Sequence, residues 1–407
     1  MARNDKSVLV LGGGLAGITV ALELAGQGVR VALADKDDFL GGVAARLTCK
    51  ALESCQKCNG CLAEPRLGAV LDHPGITLWR RSRVAEVARQ ERGFKVALTQ
   101  GPAYIDPRRC TGCGLCLEVC PAAEAGALRP PLIAGDRPRL AIGQEACLYF
   151  KDQRSTLCRD TCPEEAIDFQ QVPRRVELEV DALVLATGFA PYPAGQKERL
   201  GHGRVPDVVT ALELEESLRR LGRPARPSDG QTPKKVAFIQ CVGSRERLGH
   251  NYCSRVCCGY ALRLGRHLHE RHGAAVSIFY MDLQSFGHAM DDFLAAAQSE
   301  LNLVRSMPYD VYRGRDGGAV LEYQALSGQA PVQGAFDLVV LSVGMAPNPD
   351  NPALAQACGL SLDGHGFLDP GPGIFVTGAA GGPLDMAEVV AQAGAAAQEA
   401  LSYLEAC

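Results

Sequence analysis

Seventeen cysteines, most of them in tight groups, carry the chemistry most evident in this 407-residue sequence. The run Cys110-x-x-Cys113-x-x-Cys116-x-x-x-Cys120-Pro121 lets three closely spaced thiolates wrap one iron–sulfur cubane while the fourth ligates a neighbouring one. A zinc site more often uses two separated cysteine pairs. The partner run is incomplete: Cys158-x-x-x-Cys162-Pro163 supplies its end, but Asp152 and Ser155 stand where regular steps would place Cys, and Cys147 lies upstream. In the usual crossed arrangement, Cys110, Cys113, Cys116 and Cys162 complete one [4Fe–4S] cluster. Cys120, Cys147 and Cys158 then leave a second cluster one thiolate short. It takes a Ser or Asp oxygen, holds three irons, or is absent.

Two more groups follow. Cys241, Cys253, Cys257 and Cys258 sit where a second nucleotide-binding unit would have its glycine turn. Cys253 and Cys257 share a face if a helix begins near Cys253, and its N-terminus would then favour a negatively charged cluster. Buried thiols or a disulfide are the plain alternative. Cys49-x5-Cys55-x-x-Cys58-x-x-Cys61 suits a cluster, zinc or a redox dithiol, with a cluster favoured. Cys358 and Cys407 stand alone and read as unligated thiols.

Glycines mark another site. Gly12-Gly13-Gly14-Leu15-Ala16-Gly17 fits G-x-G-x-x-G between an apolar strand and a helix. Gly12 permits the turn, Gly14 lets backbone approach a pyrophosphate, and Gly17 allows close helix–strand packing. Asp35, followed by Lys36, ends the next strand, where a carboxylate can accept ribose hydroxyls. FAD is preferred to NAD because the chain returns to strand ends at Ala186-Thr187-Gly188-Phe189 and Thr377-Gly378-Ala379-Ala380. Asp385-Met386-Ala387-Glu388 has capping-box spacing, and the helix it starts could favour a reduced, anionic flavin. An ordinary cap is the alternative there.

The elements that must position these residues follow from periodicity. Residues 7–11, a helix to about Gly26 and residues 29–35 form a βαβ unit. From Tyr104 to Gln170 the texture changes to Cys, Pro and polar turns, before strand-like sequence resumes over 176–187. Residues 222–233 resemble a linker; strands at 235–240 and 275–280 flank a helix in a second βαβ unit. Late strands at 336–342 and 373–377 precede a closing Ala-rich helix. The organisation is therefore a FAD-binding domain in three parts (1–103, 171–230 and 336–407), interrupted by a ferredoxin-like insertion at 104–170 and a second Rossmann-like domain at 231–335.

Lys plus Arg total 42 against 46 Asp plus Glu, a formal charge of −4, which offers no electrostatic footing for nucleic acid. Residues 1–6 are too short and polar for a signal peptide, and no apolar run approaches a membrane span. A cytoplasmic protein is expected, with peripheral attachment to the inner membrane only through partner subunits.

At these residues the chain resembles the heterodisulfide reductase A-subunit (HdrA) family. The resemblance rests on the 12–17 glycines, the 110–120 cysteines, residues 186–189, the signature Cys241-Val242-Gly243-Ser244-Arg245 … Tyr252-Cys253-Ser254-Arg255-Val256-Cys257-Cys258, and residues 373–382. It implies an α/β, thioredoxin-reductase-like two-Rossmann flavoprotein with an inserted ferredoxin-like iron–sulfur domain. It also implies that Cys241, Cys253, Cys257 and Cys258 ligate an atypical [4Fe–4S] cluster near the flavin. Without extra terminal iron–sulfur domains, the chain is similar to the shorter branch, such as the HdrA-like component of the quinone-interacting membrane-bound oxidoreductase. The 49–61 stretch is not a close match to that component. Many members carry Lys where Arg263 stands, which puts an inherited flavin-tuning role in doubt.

The expected function is an electron-relay subunit of a multi-subunit redox complex, with FAD and two to four [4Fe–4S] clusters. Expected partners are other heterodisulfide reductase-type subunits, a ferredoxin, a hydrogenase or dehydrogenase module, or a quinone-linked membrane subunit, in a hetero-oligomer. The rivals are a stand-alone NAD(P)H-dependent flavoprotein reductase, which needs a second nucleotide fingerprint, and a zinc-stapled scaffold.

Overall fold

The apolar run at the N-terminus becomes the central strand of a parallel sheet. In the computed structural model, which describes residues 5–133, 136, 139–247, 249–284, 290–325, 328 and 330–406, this sheet runs Ile374–Val376, Ala182–Leu185, Ser7–Leu11, Arg30–Ala34, Ile76–Trp79. Every neighbouring pair is parallel, so both faces need cover, and the strands are correspondingly apolar. Helix Leu15–Gly26 and the closing helix Met386–Ala406 cover one face, where Ile18, Val20, Leu24, Ala393, Ala397 and Leu401 share a core with Val8 and Val10. Cys407 lies outside the described residues.

A second parallel sheet runs Val208–Thr210, Leu338–Val343, Lys235–Val242, Ala275–Phe279, Asn302–Val304. Its strands alternate between two cores. Val236, Phe238, Leu338 and Val340 pack with Leu262 and Leu268 of helix Cys257–His272, and Ala237, Ile239, Val339 and Leu341 pack on the opposite face. The two sheets are joined by a two-stranded antiparallel ribbon, Phe189–Pro191 against Met345–Pro347. The two-Rossmann fold expected from the sequence is present.

The strand-like stretch 176–187 holds two strands. Arg174–Val180 lies antiparallel to Phe94–Gln100, whereas Ala182–Leu185 enters the first parallel sheet. Asp181 marks the break: its carboxylate accepts the Ser7 N–H at 2.8 Å and the Ser7 hydroxyl at 3.2 Å. A half-buried polar anchor redirects a chain that β propensity alone would have continued.

Between Gln100 and Arg174, which are cross-strand partners, the chain makes a long excursion. It contains short helices Leu115–Val119, Leu148–Asp152 and Leu157–Asp160 and the paired strands Leu128–Arg129 and Ala141–Ile142. The excursion has its own apolar cluster, including Ile105, Leu140, Ile167 and Phe169, with Cys110, Cys116, Cys120, Cys147, Cys158 and Cys162 packed against or within it. Arg80 and Asp136 join it to the first sheet through an almost fully buried two-pronged ion pair, 2.6 and 3.2 Å.

Candidate functional site

The glycine turn after Ser7–Leu11 is built as the motif requires. Gly12 has φ +106°, and a Cβ there would lie 2.3 Å from the Ala186 carbonyl oxygen. A Cβ on Gly17 would lie 1.8 Å from the Gly12 carbonyl oxygen, so both glycines are demanded by the fold itself. Gly14 differs: a Cβ there would meet nothing within 4 Å. Its bare backbone opens into a large cleft, and helix Leu15–Gly26 begins at the next residue, pointing unpaired N–H groups the same way.

That cleft has a volume of about 1340 Å³ and is open to solvent. Gly12, Gly14, Leu15, Ala16, Asp35, Lys36, Ala186, Thr187, Gly188, Ala379, Asp385 and Met386 all line it. Gly17 and Gly378 do not. Gly17 packs helix to turn, and Gly378 has φ +64°, lies against Ala16 and donates its N–H to Gln392 Oε1 at 2.7 Å.

Asp35 serves the turn as well as the cleft. Its Oδ2 accepts the Gly13 N–H at 2.5 Å and its Oδ1 the Asp37 N–H at 2.7 Å. Burial raises its pKa, opposed by these two hydrogen bonds. Lys36 is paired with Asp350 at 2.7 Å. The expected capping box is present: the Asp385 N–H reaches Glu388 Oε2 and the Glu388 N–H reaches Asp385 Oδ1, each at 2.9 Å. Glu388 also pairs with Arg255, tying this helix to the 241–258 segment.

The far end of the cleft holds residues that the glycine fingerprint does not reveal: Lys50, Cys58, Arg255, Cys257, Tyr260, Arg263 and Ser342. Gly41 and Gly42 also lie outside that fingerprint. The Gly41 N–H donates to the Gly13 carbonyl at 2.7 Å, and a Cβ on Gly42 would stand 3.2 Å from Gly14 Cα. The Gly-Gly pair six residues past Asp35 was the available signal.

The cysteines divide as their spacing suggests. Cys110, Cys113, Cys116 and Cys162 line one small hollow in the excursion. Burial first, then Cys110 and Cys113, push the Cys116 thiol up to about 11. Cys158 is likewise pushed up to about 11 by burial and then by Cys120 and Cys147, so these three are neighbours. Among the described residues none of the excursion lines the large cleft.

The third group forms at the C-terminal ends of the second sheet's strands. A β-bulge falls between Ile239, paired with Leu341, and Val242, paired with Val343. It holds Cys241 at φ +57°, a left-handed conformation rare for a residue with a Cβ. Burial, then Cys258, raises Cys241 to about 11, and burial, then Cys241, raises Cys257 further. The helix begins at Cys257, not near Cys253, so Cys253 and Cys257 do not share a helical face. Cys253 lies in the preceding loop, its sulfur accepting the Arg255 N–H at 3.3 Å, while Cys258 sulfur accepts the Gln284 N–H at 3.5 Å. Loop geometry at Gly249, Arg245 and Arg255, all at positive φ, overrides the helical spacing.

Of the fourth group, Cys49, Cys55 and Cys61 are exposed and Cys58 is half-buried. Arg263 holds this loop, donating Nε–H to the Gln56 carbonyl at 2.7 Å, and Cys58 and Cys55 lie within its electrostatic reach. Among the described residues no cysteine is in a disulfide, and no three His, Cys, Asp or Glu side chains converge as one metal ion would require. A cubane presents each ligand with a different iron, so its four thiolates stand further apart than those around a single ion.

The family model for pyridine nucleotide-disulphide oxidoreductases matches residues 6–400, and the chain belongs to that family. The fold is that of thioredoxin reductase. The Lactococcus lactis enzyme superposes with a TM-score of 0.55 at 15% identity, covering 99% of this chain and 100% of that one. The T. acidophilum enzyme gives 0.54 at 12%, covering 98% and 99%.

More narrowly, the chain is homologous along nearly its whole length to the A subunits of heterodisulfide reductases, oxidoreductase components, as the cysteine signature indicated. The A subunit of the ferredoxin:CoB-CoM heterodisulfide reductase of Methanosarcina mazei is 32% identical over 99% of this chain and 54% of its own length. The iron–sulfur A subunit of Methanocaldococcus jannaschii CoB–CoM heterodisulfide reductase is 34% identical over 97% and 63%. The A subunit of the H2:CoB-CoM heterodisulfide,ferredoxin reductase of Methanothermobacter marburgensis is 33% identical over 98% and 64%. The chain thus spans less than two thirds of the length of these relatives. Among the described residues no helix is long and apolar enough to cross a membrane.

Proposed function

We propose that the chain binds FAD in the large cleft and relays electrons between it and [4Fe–4S] clusters, as one subunit of a heterodisulfide reductase-like complex. The carrying observation is that Cys257 and Cys58 line the same cleft as the Gly12–Gly14 turn and the Asp385–Met386 helix start. Cysteine chemistry and a dinucleotide cradle therefore share one space.

The fit for FAD rests on Gly14, whose missing side chain leaves the cradle open, and on the buried Thr187 hydroxyl in the cleft wall, which has no partner among the described residues. Gly12, Gly14, Leu15 and Ala16 would hold the pyrophosphate, Asp35 and Lys36 the ribose end, and Ala186, Thr187, Gly188, Gly378, Ala379, Asp385 and Met386 the remainder. For the clusters, Cys110, Cys113, Cys116 and Cys162 would hold one and Cys241, Cys253, Cys257 and Cys258 another. Cys120, Cys147 and Cys158 would hold a third, short of one thiolate, and Cys49, Cys55, Cys58 and Cys61 a fourth. When bound, flavin exchanges electrons in pairs and iron–sulfur clusters pass them singly.

The chain's own residues orient and insulate these centres. The Met386–Ala406 helix directs its N-terminus at the cleft, favouring negative charge there. The Cys257–His272 helix does the same for its first two residues. Redox subunits are the partners this implies: heterodisulfide reductase-type or quinone-linked subunits, with a ferredoxin, hydrogenase or dehydrogenase module as donor, in the cytoplasm or held at the inner membrane by them. A stand-alone NAD(P)H reductase is disfavoured because the Gln240–Cys241 bulge occupies the position of the second glycine turn.

Iron, sulfide and flavin contents per chain, measured on anaerobically purified protein, test the proposal. One FAD with at least two clusters supports it. Protein without flavin or iron, or with brisk NADH oxidation when isolated, would overturn it.

A further inference from the structure

The cysteine group of the second sheet is bordered by polar side chains that the relay proposal leaves without a task. Gln240 is 0% exposed, and neither its Oε1 nor its Nε2 has a hydrogen-bond partner among the described residues. The Ser342 and Ser244 hydroxyls, in residues 2% and 1% exposed, are in the same condition. Buried amides and hydroxyls are almost always paired, and an unpaired group is costly. Gln240 and Ser342 stand at adjoining strand ends, which points to a missing partner there.

The strand pattern says where Gln240 faces. Val236 and Phe238 pack beneath the Cys257–His272 helix, whereas Ala237 and Ile239 pack on the other side. Alternation continues through the regularly paired Ile239, so Gln240 falls on the helix face. Leu338 and Val340 place Ser342 on that face too. The bulge then sets Gln240 and Cys241 together opposite Ser342, at the strand ends where helix Cys257–His272 begins. An unpartnered carboxamide thus stands at the strand ends beside Cys241, where the helix carrying Cys257 and Cys258 begins.

We propose that the Gln240 Nε2–H donates a hydrogen bond to a sulfur of the iron–sulfur centre held by Cys241, Cys253, Cys257 and Cys258, and thereby raises that centre's reduction potential. The reduced centre carries one more negative charge than the oxidised one. A donor aimed at its sulfur therefore stabilises the reduced state preferentially. This rests on the cluster assignment made under the proposed function.

The test is a reductive titration of the anaerobically purified full chain, followed by EPR on the signal that Cys258→Ala removes. Gln240→Leu should keep its iron and lower the midpoint by at least a tenfold change in the oxidised-to-reduced ratio, about 59 mV for a one-electron couple. Gln240→Glu should lower it further, because a carboxylate repels the added charge. A Gln240→Leu protein that retains the signal at the wild-type potential overturns the proposal. Should that variant lose the cluster, wild-type protein carrying 15N in its glutamine side chains decides: hyperfine coupling of that nitrogen to the reduced cluster supports the assignment, and its absence overturns it. If Cys258→Ala removes neither signal nor iron, the underlying cluster assignment is wrong and the proposal falls with it.

Discussion

Lys50 and Glu215 form an ion pair in which both side chains are only 1% exposed. Glu215 also accepts the Thr48 N–H at 2.9 Å and the Tyr260 hydroxyl at 2.9 Å, so one carboxylate pins the start of the 49–61 loop to helices Ala211–Leu221 and Cys257–His272. Glu215→Ala leaves the Lys50 charge buried and uncompensated, and should cost about 3–5 kcal/mol of stability. The pair replacement Lys50→Met with Glu215→Leu should recover most of it. Thermal melts of the three proteins check this, and a single variant as stable as wild type would refute it.

Gly14 and Gly17 belong to one motif but should fail differently. Gly17→Ala drives a Cβ into the Gly12 carbonyl, so low yield or a clearly lowered melting temperature is expected. Gly14→Ala adds a methyl group only to the open cleft. It should fold as wild-type protein stripped of flavin does, yet retain little flavin. Absorbance near the flavin bands, set beside the melting curve, separates the two; normal flavin content in Gly14→Ala would remove Gly14 from the cradle.

Iron stoichiometry tests the ligand pairing in the excursion. Cys162→Ala should lower the count by about four irons per chain, one cubane. Ser155→Cys, by contrast, should raise the occupancy of the centre near Cys120, Cys147 and Cys158. Unchanged iron in Cys162→Ala would argue against the crossed arrangement.

Acid sensitivity has a local source. Burial pushes the imidazoles of His267 and His272 below their ordinary 6.5. Around and below that pH the unfolded chain takes up protons that the folded chain refuses, so these groups favour folding above about 6.5 and that contribution fades as pH falls through it. His267→Gln should flatten the decline in melting temperature between pH 7 and pH 5 (roughly the window set by the reference imidazole value). A slope identical to wild type would assign the sensitivity elsewhere.

The parts of the molecule legible in the sequence are those fixed by short-range rules. The Ser7–Leu11 strand, the helix from Leu15 to Gly26 and the Asp385–Glu388 cap appear where spacing put them. Period and capping chemistry act within a few residues. The break at Asp181 depends on Ser7, far away in sequence, and could not be read locally. The same is true of Cys253: i, i+4 spacing suggested a common helix face, but the loop from Arg245 to Arg255 holds it by other means. The buried Lys50 was hidden for the opposite reason. A lysine among exposed cysteines looks like surface until Glu215 is placed beside it.

The pairing of Gln100 with Arg174 has a consequence for how such a chain can be assembled. Their side chains are joined as well, with Arg174 Nε–H donating to Gln100 Oε1 at 2.7 Å. Departure and return thus occupy a single rung of an antiparallel ladder, so whatever lies between them is topologically a hairpin loop. Modules of different length can be exchanged at that rung without rethreading either sheet, with Arg80 a buried charge needing a new counterion.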